Sequence, residues 1–167
     1  MSVFNVESNH LTQPMFLGDD PGLARYETTK HEKFEELIQK SLSFYWRPEE
    51  VGLLNDGNQF RALQIELQDI FTNNLFYQIL MDSVQGRSPA ITLGVIVSDV
   101  ALETWIMSWT FFETIHSRSY THIIRNLYSD PSKVFDKIPE NNKIIERALS
   151  ICKYYDNLQD LIYCYKA

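Results

Sequence analysis

Glu113 and His116 are the residues of this sequence whose types and spacing most plainly suit chemistry. On a helix, positions three apart share one face, so a carboxylate oxygen and an imidazole nitrogen can reach a single metal ion. That donor pair suits iron or manganese with open coordination positions. The bare Glu-x-x-His spacing is weak evidence, because Glu7-Ser8-Asn9-His10 also fits it. That second match falls in an irregular arm and reads as chance. Two polar residues hydrogen-bonded to each other would also produce the spacing at 113 and 116. The surroundings favour ligands. Trp105, Trp109, Phe112 and Tyr120 continue the same face, so both groups are expected in an aromatic, buried setting. Buried charge there is costly unless paired or bound to metal. Asp82, beside Met81 and one turn from Gln78, lies on the inner side of its own helix and is a third candidate. Tyr120 follows His116 by four residues, which puts its phenol one turn along, within reach of the same metal. By itself it also fits a core tyrosine with a hydrogen-bonded hydroxyl.

Helices must position these groups. Phe34, Leu37, Ile38, Leu42 and Tyr45 are spaced by three and four and predict a first helix, capped by Thr28 or Thr29 and diverted at Pro48. Asn55-Asp56-Gly57 reads as a turn. A second helix is expected from Ile65 to Gln85, with Leu67, Ile70, Phe71, Leu75, Gln78, Met81 and Asp82 on one broad side and Gly86 and Pro89 as its stop. Residues 90–97 are apolar and β-branched and fit a strand or a short buried helix equally. Ser98 or Asp99 starts the clearest helix, which carries Leu102, Trp105, Trp109, Phe112, Glu113, His116, Tyr120, Ile123 and Leu127 to a break at Ser129-Asp130-Pro131. Ile144, Ile145, Ala148, Ile151, Tyr155 and Leu158 mark a last helix from about Glu140. The expected fold class is all-α, an antiparallel helical bundle. Bundles that hold two irons on carboxylates use two Glu-x-x-His pairs and one further carboxylate from each of two other helices.

Composition agrees. The chain has 167 residues, of which 44% are hydrophobic, 13% aromatic and 22% charged, with six Gly and six Pro. Few turn-formers in so long a chain argue for long helices. A net charge of −7 argues against nucleic acid as a partner. Cys152 and Cys164 are too few for a disulfide framework and are expected as thiols in a reducing, cytoplasmic compartment. No targeting segment and no apolar run long enough for a membrane span is expected.

Three runs carry a resemblance. They are Ser43-Phe44-Tyr45-Trp46-Arg47-Pro48-Glu49-Glu50-Val51, Met81-Asp82-Ser83-Val84-Gln85-Gly86-Arg87-Ser88-Pro89, and Glu113-Thr114-Ile115-His116-Ser117-Arg118-Ser119-Tyr120-Thr121-His122-Ile123-Ile124-Arg125-Asn126. Together they closely resemble the small, radical-bearing subunit of class I ribonucleotide reductase in its bacterial and phage form. Pro14-Met15-Phe16, Ala24-Arg25-Tyr26 and Asp130-Pro131-Ser132-Lys133-Val134-Phe135-Asp136 look like the same family. The resemblance implies a ferritin-like bundle holding a di-iron centre. It implies Asp82, Glu113 and His116 as ligands of one iron, with Glu113 bridging to the second. It implies Tyr120 as the residue oxidised to a stable radical and Trp46 as the relay toward the large subunit, where ribonucleoside diphosphates are reduced. Trp105 and Trp109 read as plain packing, and His10, His31 and His122 receive no ligand role.

On this resemblance, residues 1–25 are the family's N-terminal arm, 26–156 the front half of the bundle, and 157–167 a divergent end. The family's second Glu-x-x-His and further carboxylate lie beyond the matched stretch, and no acid or histidine after residue 140 forms such a pair. Three readings follow: one piece of a split or truncated small subunit that needs a companion chain; an inactive remnant; or a helical module that joins an oligomer without catalysis. The resemblance also implies a homodimer as the family's usual assembly.

Overall fold

The computed structural model describes residues 3–166, and within them helices account for nearly all regular structure. The expectation of an all-α chain is met, with no strand among the described residues beyond one isolated antiparallel bridge, Phe16 to Val97. The α-helices are α1 (Glu32–Ser43), α2 (Asp56–Ala62), α3 (Ile65–Gln85), α4 (Ser88–Thr92), α5 (Val100–Leu127), α6 (Pro131–Asp136) and α7 (Asn142–Lys166). Pro48–Glu50 and Ile138–Glu140 form single 3-10 turns.

Helix α1 starts at His31 without a side-chain cap, not at Thr28 or Thr29. Its acidic first turn and Lys40 in the last turn complement the helix dipole. Asn55-Asp56-Gly57 opens α2 instead of making a turn. Helix α3 has the bounds expected from its sequence and closes with the Gly86 N–H donating to the Asp82 carbonyl at 2.8 Å. The ambiguous stretch 90–97 begins in α4, turns over residues 93–96 and ends at Val97, bridged to Phe16. The N-terminal arm holds that end: Leu17 N–H donates to the Ile96 carbonyl at 2.8 Å, and Ser98 N–H to the Met15 carbonyl at 2.9 Å. Asp99 is the residue that caps α5, its Oδ1 accepting from Leu102 N–H at 2.8 Å. Asp130 caps α6 in the same way through Lys133 N–H.

The chain forms two compact units. One comprises the residues up to Tyr45, Arg87–Phe111 and the residues from Asn157 on; the other comprises Trp46–Gly86 and Phe112–Asp156. The core of the first gathers Val97, Leu102 and Ile106, with Phe16, Phe34, Leu93 and Trp105 packed against them. Trp105 is thus a packing residue. The core of the second gathers Leu75 and Phe76 of α3, Ile124 of α5, Val134 of α6, Ile138, and Ile144 of α7.

Two faces differ from expectation. On α5 the deepest side chains are Ile124, Ile106 and Ala101, not the tryptophans. On α3, Leu75, Phe76 and Met81 are buried, but Leu67, Ile70 and Phe71 stand exposed at 48%, 66% and 40%. A helix apolar on more than one side is built to be covered on more than one side. Within the described residues, no helix is long and apolar enough to cross a membrane.

Candidate metal centre

Asp82 stands near the end of α3, and Glu113 and His116 stand one turn apart on α5. All belong to the second unit. Their side chains converge: one ligand atom from each lies within 4.8 Å of the others, the sole such cluster among the described residues. His116 Nδ1 is 3.0 Å from Glu113 Oε2 and 3.7 Å from Asp82 Oδ2. Two carboxylates and an imidazole around one point are the hard and borderline donors that iron or manganese takes, so the donor set fits such an ion. The bland alternative for Glu113 and His116, a hydrogen-bonded polar pair, leaves unexplained why a third ionisable group from another helix points at the same spot.

The setting is less enclosed than the aromatic face suggests. The side chains of Glu113 and Asp82 are 13% and 18% exposed, but that of His116 is 39% exposed. One side of its ring is covered by Trp46, with centroids 5.4 Å apart and planes inclined at 33°. Trp46 also packs on Phe112, and its indole N–H points to Ser119 Oγ at 3.4 Å.

Tyr120 completes the group. Its hydroxyl donates to Asp82 Oδ2 at 2.7 Å. Burial raises the tyrosine's pKa above its ordinary value, and the hydrogen bond to Asp82 and the charges of Asp82 and Glu113 add to this. Burial likewise raises the Asp82 pKa; the Tyr120 hydrogen bond and His116 oppose the rise, and the nearby Glu113 adds to it. A carboxylate that resists ionisation until compensated is poised to gain from a cation.

Two histidines given no ligand role fall elsewhere. His10 Nε2 lies 3.0 Å from the Thr28 carbonyl, and His122 Nε2 lies 3.1 Å from the Val51 carbonyl. Ser119 was not singled out by sequence. Its only signal is its place one residue before Tyr120, one turn beyond Ile115, whose carbonyl takes its hydroxyl proton at 2.9 Å.

Residues 24–166 match the family described as ribonucleotide reductase, small chain, and the chain belongs to that family. The match runs on through the terminal stretch set apart above as far as residue 166. The ribonucleoside-diphosphate reductase subunit beta of Enterobacteria phage T4 is 56% identical over 158 residues, 94% of this chain and 41% of that protein. The subunit of the same name from Haemophilus influenzae is 55% identical over 152 residues, 91% of this chain and 40% of that protein. The chain thus spans about two fifths of the length of the curated relatives it matches. Among solved structures, a ribonucleotide reductase R2 subunit from Clostridium botulinum superimposes with a TM-score of 0.86 at 24% identity, over 96% of this chain and 51% of that one. The dimanganese(II)-NrdF of Streptococcus sanguinis gives 0.74 at 20% identity, over 80% of this chain and 48% of that one. The fold is that of the ferritin-like R2 bundles, as the sequence implies.

Proposed function

We propose that this chain supplies one side of a di-iron carboxylate site and the oxidisable tyrosine of a ribonucleoside-diphosphate reductase small subunit. The observation that carries this reading is the convergence of Asp82, Glu113 and His116, with the Tyr120 hydroxyl bonded to one of the three. A bundle site for two metals takes two Glu-x-x-His pairs and two further carboxylates. Residues 1–167 bring together one such pair and one carboxylate, so the remaining donors of a two-metal site lie outside this stretch.

When bound, the iron pair supplies the oxidising power that dioxygen provides. The chain's own residues do the rest. Asp82, Glu113 and His116 would hold one metal ion of the pair. Tyr120 would lose one electron to the oxidant that the iron pair and dioxygen supply, and Asp82 Oδ2, at 2.7 Å, is placed to take its proton. Trp46, in ring contact with His116, relays the electron hole toward the large subunit. The partners are that large subunit and either a second copy or a companion chain carrying the other half-site, in the cytoplasm, with neither nucleic acid nor membrane involved.

A second reading, a helical module that joins an oligomer without chemistry, is favoured by the exposed apolar residues Leu67, Ile70 and Phe71 of α3. One experiment separates the two. The chain is combined with ferrous iron, dioxygen, a polypeptide carrying the second carboxylate set and the large subunit, and deoxyribonucleotide formation is measured. Product that disappears with Asp82→Ala and with Tyr120→Phe supports the catalytic reading. A stable complex without product supports the module.

A further inference from the structure

The second unit contains a glycine whose missing side chain bears on two of the three candidate ligands at once. Gly86 follows the last residue of α3 with φ −66° and ψ −24°, a helical conformation open to any residue. Backbone freedom is therefore not what glycine provides here. Space is. A Cβ at position 86 would lie 2.7 Å from the carbonyl oxygen of Asp82 and 3.1 Å from the Cβ of Glu113. Neither neighbour can swing aside. The Asp82 carbonyl is fixed by the Gly86 N–H that bonds to it at 2.8 Å, and a Cβ is the rooted end of its side chain. The first contact lies within the last turn of α3 and its relief shifts the turn that carries Asp82; the second crosses to α5, and its relief moves that turn away from Glu113.

We propose that Gly86 is a positioning residue for the metal centre: its bare Cα lets α3 and α5 approach closely enough for Asp82 and Glu113 to share one ion. The inference rests on the metal-binding reading above. A shift of α3 against α5 changes the spacing of the donor atoms, which now fall within 4.8 Å of one another, and metal sites are sensitive to displacements of that kind. Packed helices give little, so the shift is passed to the ligands instead of being absorbed locally.

The test is Mn(II) binding by the full chain, read from loss of the free-ion electron paramagnetic resonance signal. Thermal melting without metal is measured in parallel. Asp82→Ala is the control for the reading itself and should abolish binding. Gly86→Ala should weaken Mn(II) affinity by about ten- to a hundredfold, the range seen when supporting residues of metal sites are changed. Gly57→Ala is the control for mere crowding. Its Cβ would lie 2.6 Å from the Asn126 carbonyl, so it should lower the melting temperature yet leave Mn(II) affinity as in wild type. In metal-free melts, the loss caused by Gly86→Ala should be smaller in a Glu113→Gly background than in wild type, because one of the two obstructing atoms is gone. If Gly86→Ala unfolds at the titration temperature, the same Mn(II) titration is run in a stabilising osmolyte such as sucrose, and wild-type affinity there overturns the positioning role. Wild-type binding abolished by Asp82→Ala but unchanged by Gly86→Ala overturns the positioning role and leaves the metal reading standing. Binding that Asp82→Ala does not touch overturns both.

Discussion

The hydroxyl of Tyr120 donates a hydrogen bond to Asp82 Oδ2 at 2.7 Å, joining two helices through a residue of the candidate metal centre. The same carboxylate lies 3.7 Å from His116 Nδ1. A phenol bonded to a ligand has a ready destination for its proton, and a ligand bonded to a phenol is held in orientation. Replacing Tyr120 by Phe removes both effects. We expect Tyr120→Phe to fold, to lose about 1–3 kcal/mol in urea denaturation, as befits a hydrogen bond to a carboxylate, and to form no tyrosyl radical under any reconstitution.

Alanine at Asp82, Glu113 or His116 should each lower Fe(II) or Mn(II) affinity sharply. His10→Ala and His122→Ala should leave it unchanged, since those rings lie against the Thr28 and Val51 carbonyls. Titration of all five variants with Mn(II) checks this. Equal affinities across the set would contradict the ligand assignment.

Stability should fall in strong base. The Tyr120 pKa is raised above the ordinary 10.0 by burial and by Asp82. Below that ordinary value the phenol is neutral in both folded and unfolded chains, and its native interactions are fully available. Above it the unfolded chain ionises first, so stability drops as pH rises toward the raised folded value. Tyr128, also raised by burial, contributes in the same direction. Denaturation midpoints of the metal-free chain between pH 8 and pH 11 should therefore decline, and Tyr120→Phe should decline less steeply.

Ile124 is fully buried between α3, α6 and α7, and Ile106 is nearly so in the other unit. Truncation to Ala leaves a cavity in either core. Each should cost about 2–5 kcal/mol in urea denaturation.

Much of this was legible in the sequence because local chemistry decided it. Helix α3 kept its expected bounds, and Asp99 and Pro131 set the ends of their helices. The ligand trio followed from the three-residue spacing on α5 and the inward register of Asp82. What sequence missed depends on neighbours distant along the chain. Asn55-Asp56-Gly57 carries turn residues, yet α2 forms, and Gly57 meets the Asn126 carbonyl too closely for any Cβ. Val97 is bridged to Phe16 of the arm, with Leu17 and Met15 bonded to Ile96 and Ser98 on either side, a pairing invisible to local periodicity. The partial exposure of His116 and the close approach at Gly86 likewise depend on how α3 and α5 meet.

The central claim is that these residues form one side of a two-metal site whose oxidation is stored on Tyr120. The most direct measurement is electron paramagnetic resonance, with iron counted per chain, after ferrous iron and dioxygen are added to the chain alone and then together with a polypeptide bearing the second carboxylate set. Fewer than two irons and no radical are expected for the chain alone, and a tyrosyl signal with the second set present that vanishes in Tyr120→Phe. Two irons and a tyrosyl radical on the chain alone, or a signal that survives Tyr120→Phe, would contradict it.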